Sequence, residues 1–466
     1  MKKFNLYKIA ILFTVPLLLQ SCFVAKDYVR PELETEALYR TDNLPTDSIS
    51  IATVSWKDIF TDPYLNQYIE KGLTNNLDVR IALENINAAQ AYLKQGKAGY
   101  LPTLDLSTSY SRSKNSENTR LGSLISGAQE QYEISGNFSW EADIWGKIRS
   151  SKRAAGASYL QSVAAHQAIK TELVASIASS YYQLMAFDKQ RAITEETIQA
   201  RKSSLETTLA LKDAGQVTQV AVKQTEAQLH TAQIILIDID NNIKLLENYL
   251  SILLGEPAHS IERGILDGQE ITTTLKTGVP IQLLANRPDI MQAEYGLINS
   301  FELTNVAKSS FYPSFQLTAS AGLQSLELGN WFNTSSLFTN LIGSITQPLL
   351  NKRNIRTQYE VAKAQQEQSL LSYKKALLNA GMEVSNALYN YEAETKKMDA
   401  HTKELEAYTL AESYSEELLN NGLANYLEVL TARQNALNSQ LNYIDSQYGQ
   451  LNALVSLYQA LGGGWR

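Results

Sequence analysis

Residues 132–144 read Tyr-Glu-Ile-Ser-Gly-Asn-Phe-Ser-Trp-Glu-Ala-Asp-Ile. Apolar and aromatic residues alternate with polar ones at a period of two, which predicts a strand with one apolar and one polar face. The polar face would carry three carboxylates, those of Glu133, Glu141 and Asp143. Lipid outside and water inside would fit such a strand. A half-buried sheet of a soluble protein fits this stretch equally well when it is taken alone.

Three further stretches show the same alternation. Residues 104–111 alternate with Asp105 on the polar face, residues 315–323 repeat the pattern, and residues 338–347 show it more weakly. The chain is therefore expected to contribute four strands. If these strands enclose a pore, four acids are predicted to face it and to make it prefer cations: Asp105, Glu133, Glu141 and Asp143.

An internal repeat organises the rest of the chain. Residues 76–102 align without a gap onto residues 287–313, an offset of 211, whereas Gly215 matches Gly422 at an offset of 207. The four-residue difference is expected to fall in a longer loop of the first copy. Each copy is predicted to read helix, strand, loop, strand, long helix, turn, long helix.

Long helices are predicted in both copies. Residues 152–212 and 359–420 contain no proline, and each segment could extend about 90 Å at a rise of 1.5 Å per residue. Farther along, apolar residues recur at a 3,4 spacing over residues 229–253 and 437–458, which is typical of coiled-coil seams. A single rod-like coiled coil is the alternative interpretation of these helices.

Four strands are too few to close a barrel within one chain. Open sheet edges are not tolerated in lipid, and single-chain membrane barrels have at least eight strands. Insertion of the strands therefore requires a closed ring of several chains. Two copies would give eight strands, which side chains largely fill, so a conducting pore favours three copies and twelve strands.

The beginning of the chain resembles a bacterial lipoprotein signal. Lys2 and Lys3 precede an apolar run over residues 9–19, and residues 19–22 read Leu-Gln-Ser-Cys. The run has about the length of a secretory signal, and the four residues resemble a lipobox. This resemblance implies cleavage before Cys22 and diacylation of its thiol, with palmitate-type chains. An ordinary signal peptide with an incidental buried cysteine is the alternative.

The composition argues against several classes of function. The chain has 466 residues, 44% of them hydrophobic, and a net charge of −7 without a basic block, so nucleic acid is not expected as a partner. One cysteine and four scattered histidines offer no spacing for metal ligands, and no cofactor is expected. No phosphate-binding glycine loop or nucleophile elbow occurs, so an enzyme is not predicted.

The motifs together resemble the TolC superfamily of outer-membrane factors, and most closely its lipoprotein branch of NodT or OprM-like efflux components. The resemblance covers nearly the whole mature chain. Its motifs are Asp-Tyr-Val-Arg-Pro at 27–31, Trp-Glu-Ala-Asp-Ile-Trp-Gly-Lys-Ile-Arg at 140–149, Asn-Arg-Pro-Asp-Ile at 286–290, residues 422–430, and Ala-Leu-Gly-Gly-Gly-Trp at 460–465.

The resemblance implies a mainly α fold with a membrane β-barrel portion. Long antiparallel helical hairpins would form a trimeric α-barrel tunnel across the periplasm, and four strands per chain would contribute to a 12-stranded trimeric β-barrel in the outer membrane. The homotrimer would be lipid-anchored and would receive substrates from an inner-membrane pump of RND type through a periplasmic adaptor.

The function predicted on this basis is that of a passive outer-membrane channel in a tripartite efflux system, with a role in drug resistance. The channel of a type I protein-secretion system is the first alternative, and a lipid-anchored coiled-coil tether without a pore is the second. The predicted domains are a signal peptide (1–21), a lipidated N-terminal segment (22–55), a first structural repeat (56–255), an equatorial linker (256–280) and a second structural repeat (281–466).

The turns of the two hairpins are the predicted site of a periplasmic gate. Gly215 and Gly422 tolerate the dihedral angles of a tight reversal. The family resemblance implies a Leu ring and an Asp ring at the second tip, but Thr431 stands at the Asp position. Leu427 and Thr431 are four residues apart and share a helix face. The gate is therefore predicted at Leu427, Thr431, Glu428 and Gln434.

Overall fold

The computed structural model describes residues 24–32, 38–40, 50–125, 127–269 and 282–466. The predicted signal peptide and Cys22 lie outside the described residues, as do residues 270–280 of the predicted linker. None of the described helices combines the length and the apolar composition that a membrane span requires.

The chain is mainly helical and contains four strands. In chain order, its elements are α1 (Trp56–Ile59), α2 (Pro63–Asn75), α3 (Leu77–Ala98), β1 (Thr103–Lys114), α4 (Arg120–Leu124), β2 (Ala128–Glu141), α5 (Lys147–Asp213), α6 (Gln219–Leu253), α7 (Leu283–Asn286), α8 (Pro288–Ser309), β3 (Ser314–Ser325), β4 (Leu337–Thr346), α9 (Asn354–Asn420) and α10 (Tyr426–Ala460).

The tandem repeat predicted from the sequence is confirmed by the lengths of the helices. Helices α3 and α8 have 22 residues each, α5 and α9 have 67 each, and α6 and α10 have 35 each. Between these helices, β2 has 14 residues and β4 has 10, and the loops and connectors beside them also differ in length. The repeat therefore preserves the lengths of the helices that decide where each hairpin turns.

The chain divides into two compact units, each made of three segments. The first lies within Met1–Pro31, Asn87–Gln161 and Ala293–Ser372. It holds the sheet, an antiparallel meander in the order β1-β2-β3-β4. Each strand pairs with the next one along the chain, so β1 and β4 are the edge strands.

The second unit lies within Glu32–Ile86, Ser162–Gln292 and Tyr373–Arg466. Its core is built from fully buried side chains such as Tyr181 and Leu250. The Tyr181 hydroxyl donates to Asp62 over 2.8 Å, so the buried phenol is satisfied. The seams predicted on α6 and α10 are buried or half-buried along their length, because apolar residues at this spacing share one helix face.

The reversals at Gly215 and Gly422 occur as predicted. Both glycines have positive φ, +74° and +71°, and both end their helix in a Schellman motif. The Gln216 N–H donates to the Leu211 carbonyl over 2.9 Å, and the Leu423 N–H donates to the Leu418 carbonyl over 2.8 Å. A positive φ is costly for any residue that carries a Cβ, which explains glycine at these turns.

Candidate channel surfaces

Three of the four predicted acids lie on one face of the sheet. Asp105 lies opposite Asn137, Glu133 opposite Gln324, and Glu141 opposite Gln316. Residues of the same parity along a strand share a face, so these acids and amides form a common polar surface. The facing of this surface toward a pore stays a prediction.

Hydrogen bonds connect the side chains of the polar surface. Ser107 and Ser135 lie 3.1 Å apart, and the Asn137 amide donates to the Ser107 hydroxyl over 2.9 Å. Ser135 donates to the Glu133 carboxylate over 3.0 Å. The surface is an ordered polar layer, in which Glu133 is already a hydrogen-bond acceptor.

Asp143 lies outside the strand, and the prediction that the alternation continues to residue 144 is wrong at this end. Strand β2 ends at Glu141. The Asp143 carboxylate accepts hydrogen bonds from the Ile148 and Arg149 backbone N–H groups, over 2.9 and 2.8 Å. These N–H groups belong to the first turn of α5, where they lack helical partners and attract a carboxylate. Asp143 therefore caps a helix.

The alternation of apolar and polar residues is irregular in the fourth strand, β4, and its pairing with β3 shows why. Phe338 lies opposite Gly322 and Ile342 opposite Thr318, which places two apolar side chains on the otherwise polar surface. The opposite face is more regular, since Leu341 pairs with Ala319 there. The weak alternation of this strand in the sequence reflects these two side chains.

Aromatic side chains gather near both ends of the sheet. Toward the loops, the rings of Tyr110 and Tyr132 lie 5.0 Å apart, and Tyr132 lies 5.7 Å from Trp331. Toward the helices, Trp145 packs on Tyr312 at 4.9 Å and donates its indole N–H to the Pro313 carbonyl. Aromatic groups at two levels along the strands are typical of membrane barrels.

The predicted gate residues occupy the first three turns of α10. Leu427 is 57% exposed, and the exposed Thr431 donates its hydroxyl to the Leu427 carbonyl over 2.9 Å. Glu428 instead bonds with the N-cap residue Asn425: the Glu428 backbone N–H donates to the Asn425 side-chain oxygen over 3.1 Å, and the Asn425 side-chain NH₂ donates to the Glu428 carboxylate over 2.8 Å. Leu427 and Thr431 thus share an exposed face, whereas Glu428 holds the helix start.

The Gln434 side chain is engaged in two hydrogen bonds, so it is less free to face a gate than the sequence suggested. Its side-chain oxygen accepts a hydrogen bond from Arg201 over 3.1 Å, and its amide donates to Asn438 over 2.9 Å. Arg201 belongs to α5 and is only 3% exposed. Gln434 therefore joins two helices of the same chain, and its prediction as a gate residue remains untested.

The sequence did not predict a network of hydroxyl groups around Tyr426 at the same tip. The hydroxyl of Tyr426 lies 2.9 Å from that of Thr208, 2.6 Å from that of Thr225 and 3.3 Å from that of Ser204. These partners lie on α5 and α6, so one side chain of the second hairpin contacts both helices of the first. Only the tyrosine within residues 422–430 hinted at this role.

Charged groups add a second set of contacts at the tip. Arg433 donates to Glu416 over 2.8 Å and to Ser204 over 2.6 Å. Burial lowers the pKa of the Arg201 guanidinium, and the nearby Arg433 charge lowers it further. Burial also raises the pKa of Glu412, with a contribution from the Glu416 charge. The tip therefore holds partly buried charges of both signs, which makes its packing sensitive to their removal.

Within the described ranges, no three His, Cys, Asp or Glu side chains are grouped to hold a metal ion.

The comparison with known proteins is more informative. The family model described as outer membrane efflux protein matches residues 68–256 and 279–463.

Similar proteins match over nearly the whole chain. The chain is 29% identical to the solvent efflux pump outer membrane protein SrpC of Pseudomonas putida, over 96% of this chain and 97% of that protein. It is 26% identical to the cation efflux system protein CusC of Escherichia coli K12, over 97% and 98%.

A solved structure shares the fold. The open state of the MtrE outer membrane channel of Neisseria gonorrhoeae matches with a TM-score of 0.84 and 26% identity, over 96% of this chain and 99% of that one. The helical hairpins, the four-stranded sheet and the family model together show that the chain belongs to the outer membrane efflux protein family.

Proposed function

We propose that this channel protein works as a homotrimer whose strands form one twelve-stranded barrel. The observation that carries the proposal is the sheet itself. Strand β1 is exposed along its whole length, and within the described residues β1 and β4 each lack a partner on their outer edge. In lipid, such edges would leave backbone N–H and C=O groups unsatisfied. Joining β4 of each copy to β1 of the next satisfies them.

The polar surface of the sheet would face the lumen of this barrel. Asp105, Glu133 and Glu141 share that surface, and rings of carboxylates favour cations. The apolar surface would then face lipid. Asp143 is not assigned to the lumen, because its carboxylate is engaged by the start of α5.

Lipid anchoring at Cys22 is supported by the position of the residues that follow it. Val24 and Ala25 are buried. A side chain at Gly146 would come within 3.2 Å of Ala25, and Lys308 donates to the Val24 carbonyl over 3.4 Å. The described chain that follows Cys22 therefore begins beside the start of α5, at the end of the sheet.

The tip around Gly422 is the proposed gate. Leu427 and Thr431 present an apolar and a hydroxyl group on one exposed face, which in a trimer would form two successive rings. Tyr426 and Arg433 tie this helix to α5 and α6. Opening the tip would therefore require breaking contacts between the two hairpins of each chain.

The proposed partners are a periplasmic adaptor and an inner-membrane pump of RND type. This assignment is supported by relatives that are named as outer membrane proteins of efflux pumps. The channel would conduct passively, without a catalytic step of its own. Relatives named for solvents and for cations both match, so the substrate is left unassigned.

Conductance of the purified protein in planar bilayers tests the channel, and its mass in detergent tests the trimer. We expect cation-preferring openings from a species of three times the chain mass. Replacing Asp105 and Glu133 with amides should lower the cation preference while the mass stays unchanged. The absence of conductance, or a species that stops at two copies, would contradict the proposal.

Leu427→Ser tests the gate, and Val220→Ser is the matched control. Val220 occupies the equivalent position of the first repeat, is likewise apolar and is 64% exposed, but belongs to the other tip. Single-channel conductance should rise in Leu427→Ser and remain at the wild-type level in Val220→Ser. Equal conductance in both variants would place the constriction elsewhere.

Cys22→Ala tests the anchor. We expect this variant to lose the acyl chains, which mass spectrometry of the mature protein measures directly. A mature protein whose lipid mass is unchanged by the substitution would overturn the assignment of Cys22.

A further inference from the structure

The connector between β4 and α9, residues 347–353, exposes apolar side chains beside positive charges. Leu349 is 88% exposed and Leu350 is 98% exposed, the highest value among the large apolar side chains of the described residues. Lys352 and Arg353 follow directly. Two fully exposed leucines next to two cations form a surface with both apolar and positive character.

The equivalent connector of the first repeat is different. At the offset of 207, Gly146 corresponds to Arg353 and Trp145 to Lys352. Trp145 is covered by Tyr312 and hydrogen-bonded to Pro313. The first connector is therefore packed against its own chain, whereas the second presents its side chains outward.

The backbone of the second connector is held in an unfavourable conformation. Gly146 has φ of +79°, and Arg353 adopts the same left-handed region with φ of +67°, preceded by Lys352 at +54°. These two are the only residues other than glycine with positive φ in the described part of the chain. Such strain persists where the surrounding structure or a function retains it, and a glycine would have removed it at Arg353.

The charges of this connector are not balanced. Arg353 and Arg356 share a single carboxylate, that of Glu360, at 3.0 and 3.3 Å. For Lys352 the described residues offer no ion pair. The chain as a whole has a net charge of −7, so a positive excess beside two leucines is a local feature.

Both connectors leave the same end of the sheet. Strand β3 pairs near its start with the ends of both neighbours, through Ser314 with Thr346 and through Gln316 with Glu141. Val24 and Ala25, the first described residues after the proposed anchor, also pack at this end, near Gly146. The two exposed leucines are thus placed where the proposed membrane-spanning strands end.

We propose that residues 347–353 form a membrane-contact loop. Leu349 and Leu350 insert beneath the headgroups of the adjoining leaflet, while Lys352 and Arg353 bind the phosphates of anionic lipids. The inference rests on the proposed insertion of the strands. A lipid surface is favoured over a neighbouring copy because two exposed leucines adjoin Lys352, for which the described residues show no ion pair.

The test uses Leu350→Cys in the full-length protein, labelled with an environment-sensitive fluorophore and reconstituted into vesicles of phosphatidylethanolamine and phosphatidylglycerol. Brominated lipids should quench the label and aqueous iodide should not. Leu328→Cys is the control, since Leu328 is 61% exposed at the opposite end of the sheet. Quenching at residue 350 by iodide alone would overturn the proposal, and so would protection from both quenchers, which indicates contact with another copy.

A second pair of variants separates charge from strain. Arg353→Gln removes the cation and keeps the strained backbone, whereas Arg353→Lys keeps both. Each variant is combined with Lys352→Gln. Phosphatidylglycerol should then increase the quenching by brominated lipids in the Arg353→Lys variant but not in the Arg353→Gln variant. Conductance recorded on the same samples distinguishes the failures: a conducting channel with an iodide-quenched label refutes the loop alone, whereas a channel that neither inserts nor conducts refutes the proposed function as well.

Discussion

The two hairpin tips have the same backbone and different side-chain support. Both reverse at a glycine of positive φ, and both are followed by a 35-residue helix. At the first tip, the N-cap Thr218 makes no side-chain hydrogen bond, and the first turn of α6 holds no acid. At the second tip, the Asn425 side chain accepts from the Glu428 backbone N–H and donates to the Glu428 carboxylate. The fold therefore needs the glycine at both tips, whereas the caps are particular to one of them.

The difference extends to the contacts between the hairpins. Tyr426 corresponds to Gln219 in the first repeat, and only Tyr426 reaches across to Thr208 and Thr225. The connecting side chain therefore belongs to the second tip, and its hydrogen-bond partners belong to the first hairpin. Movement of the second tip away from the first, as the proposed gate requires, would therefore have to break the contacts of Tyr426.

Tyr426→Phe is expected to have the largest effect on this asymmetry. Removing the hydroxyl takes away its hydrogen bonds with Thr208 and Thr225, while both threonines keep their bonds to helix carbonyls. At about 0.5–1.5 kcal/mol for each lost bond, the cost is about 1–3 kcal/mol of local stability. Amide hydrogen exchange at the ends of α5 and α10 should accelerate by one to two orders of magnitude, and Gln219→Ala should leave it unchanged. Similar exchange in both variants would show that the tyrosine does not hold the hairpins together.

Gly215→Ala and Gly422→Ala should have nearly equal effects, slightly smaller than that of Tyr426→Phe. A Cβ at either position meets no atom within 4 Å, so the cost arises only from the positive φ and amounts to about 1–2 kcal/mol. Thermal unfolding of the two variants measures this directly. A much larger loss at one tip would reveal a requirement beyond the backbone.

Glu428→Ala gives the second tip the residue that the first tip has at the equivalent position, Ala221. The substitution keeps the N-cap bond from the backbone N–H of residue 428 and removes the side-chain bond to Asn425 and the negative charge at the start of α10, which should cost about 0.3–1 kcal/mol. Hydrogen exchange of residues 426–430 should increase moderately, whereas Thr218→Asn, which supplies the missing N-cap side chain, should slow exchange at the start of α6. If Thr218→Asn has no effect, the cap is not what separates the tips.

Glu412→Gln should produce the smallest effect, and it should depend on pH. Burial raises the pKa of Glu412 above its ordinary value of 4.5. The folded state therefore binds this proton more tightly than the unfolded state, so stability falls as pH rises above 4.5 and toward the raised pKa. The substitution should stabilise the tip slightly at pH 7 and have no benefit at pH 4. Hydrogen exchange at both pH values, with Glu417→Gln as the surface control, checks this sign.

Much of the architecture could be predicted because it depends on local patterns. Long proline-free segments gave helices of 67 residues, and period-two alternation gave β1 to β3. The end of β2 could not be predicted, because Asp143 fits the alternation equally well. The first turn of α5 offers N–H groups without helical partners, and two of them donate to the Asp143 carboxylate. Whether residue 143 continues the strand or caps the helix is therefore decided only when both elements are in place.

For the candidate gate, the sequence located the second tip and the exposed pair Leu427 and Thr431. It did not identify Arg201 or the partners of Tyr426. Residues 208 and 426 are separated by 218 positions, and nothing in either local sequence indicates the contact. Gln434 was placed on the right helix, but its hydrogen bond to Arg201 depends on how two hairpins pack.

The sequence by itself determined the repeat, the lengths of the helices, the glycine turns and the two-faced strands, because each of these follows from the periodicity or the backbone freedom of neighbouring residues. The tertiary structure alone decided which acids remain on the polar surface, how Tyr426 and Arg201 join the hairpins, and why one connector is covered and the other exposed. These features depend on groups far apart in the chain, whose burial and hydrogen bonds exist only after the helices and strands have packed.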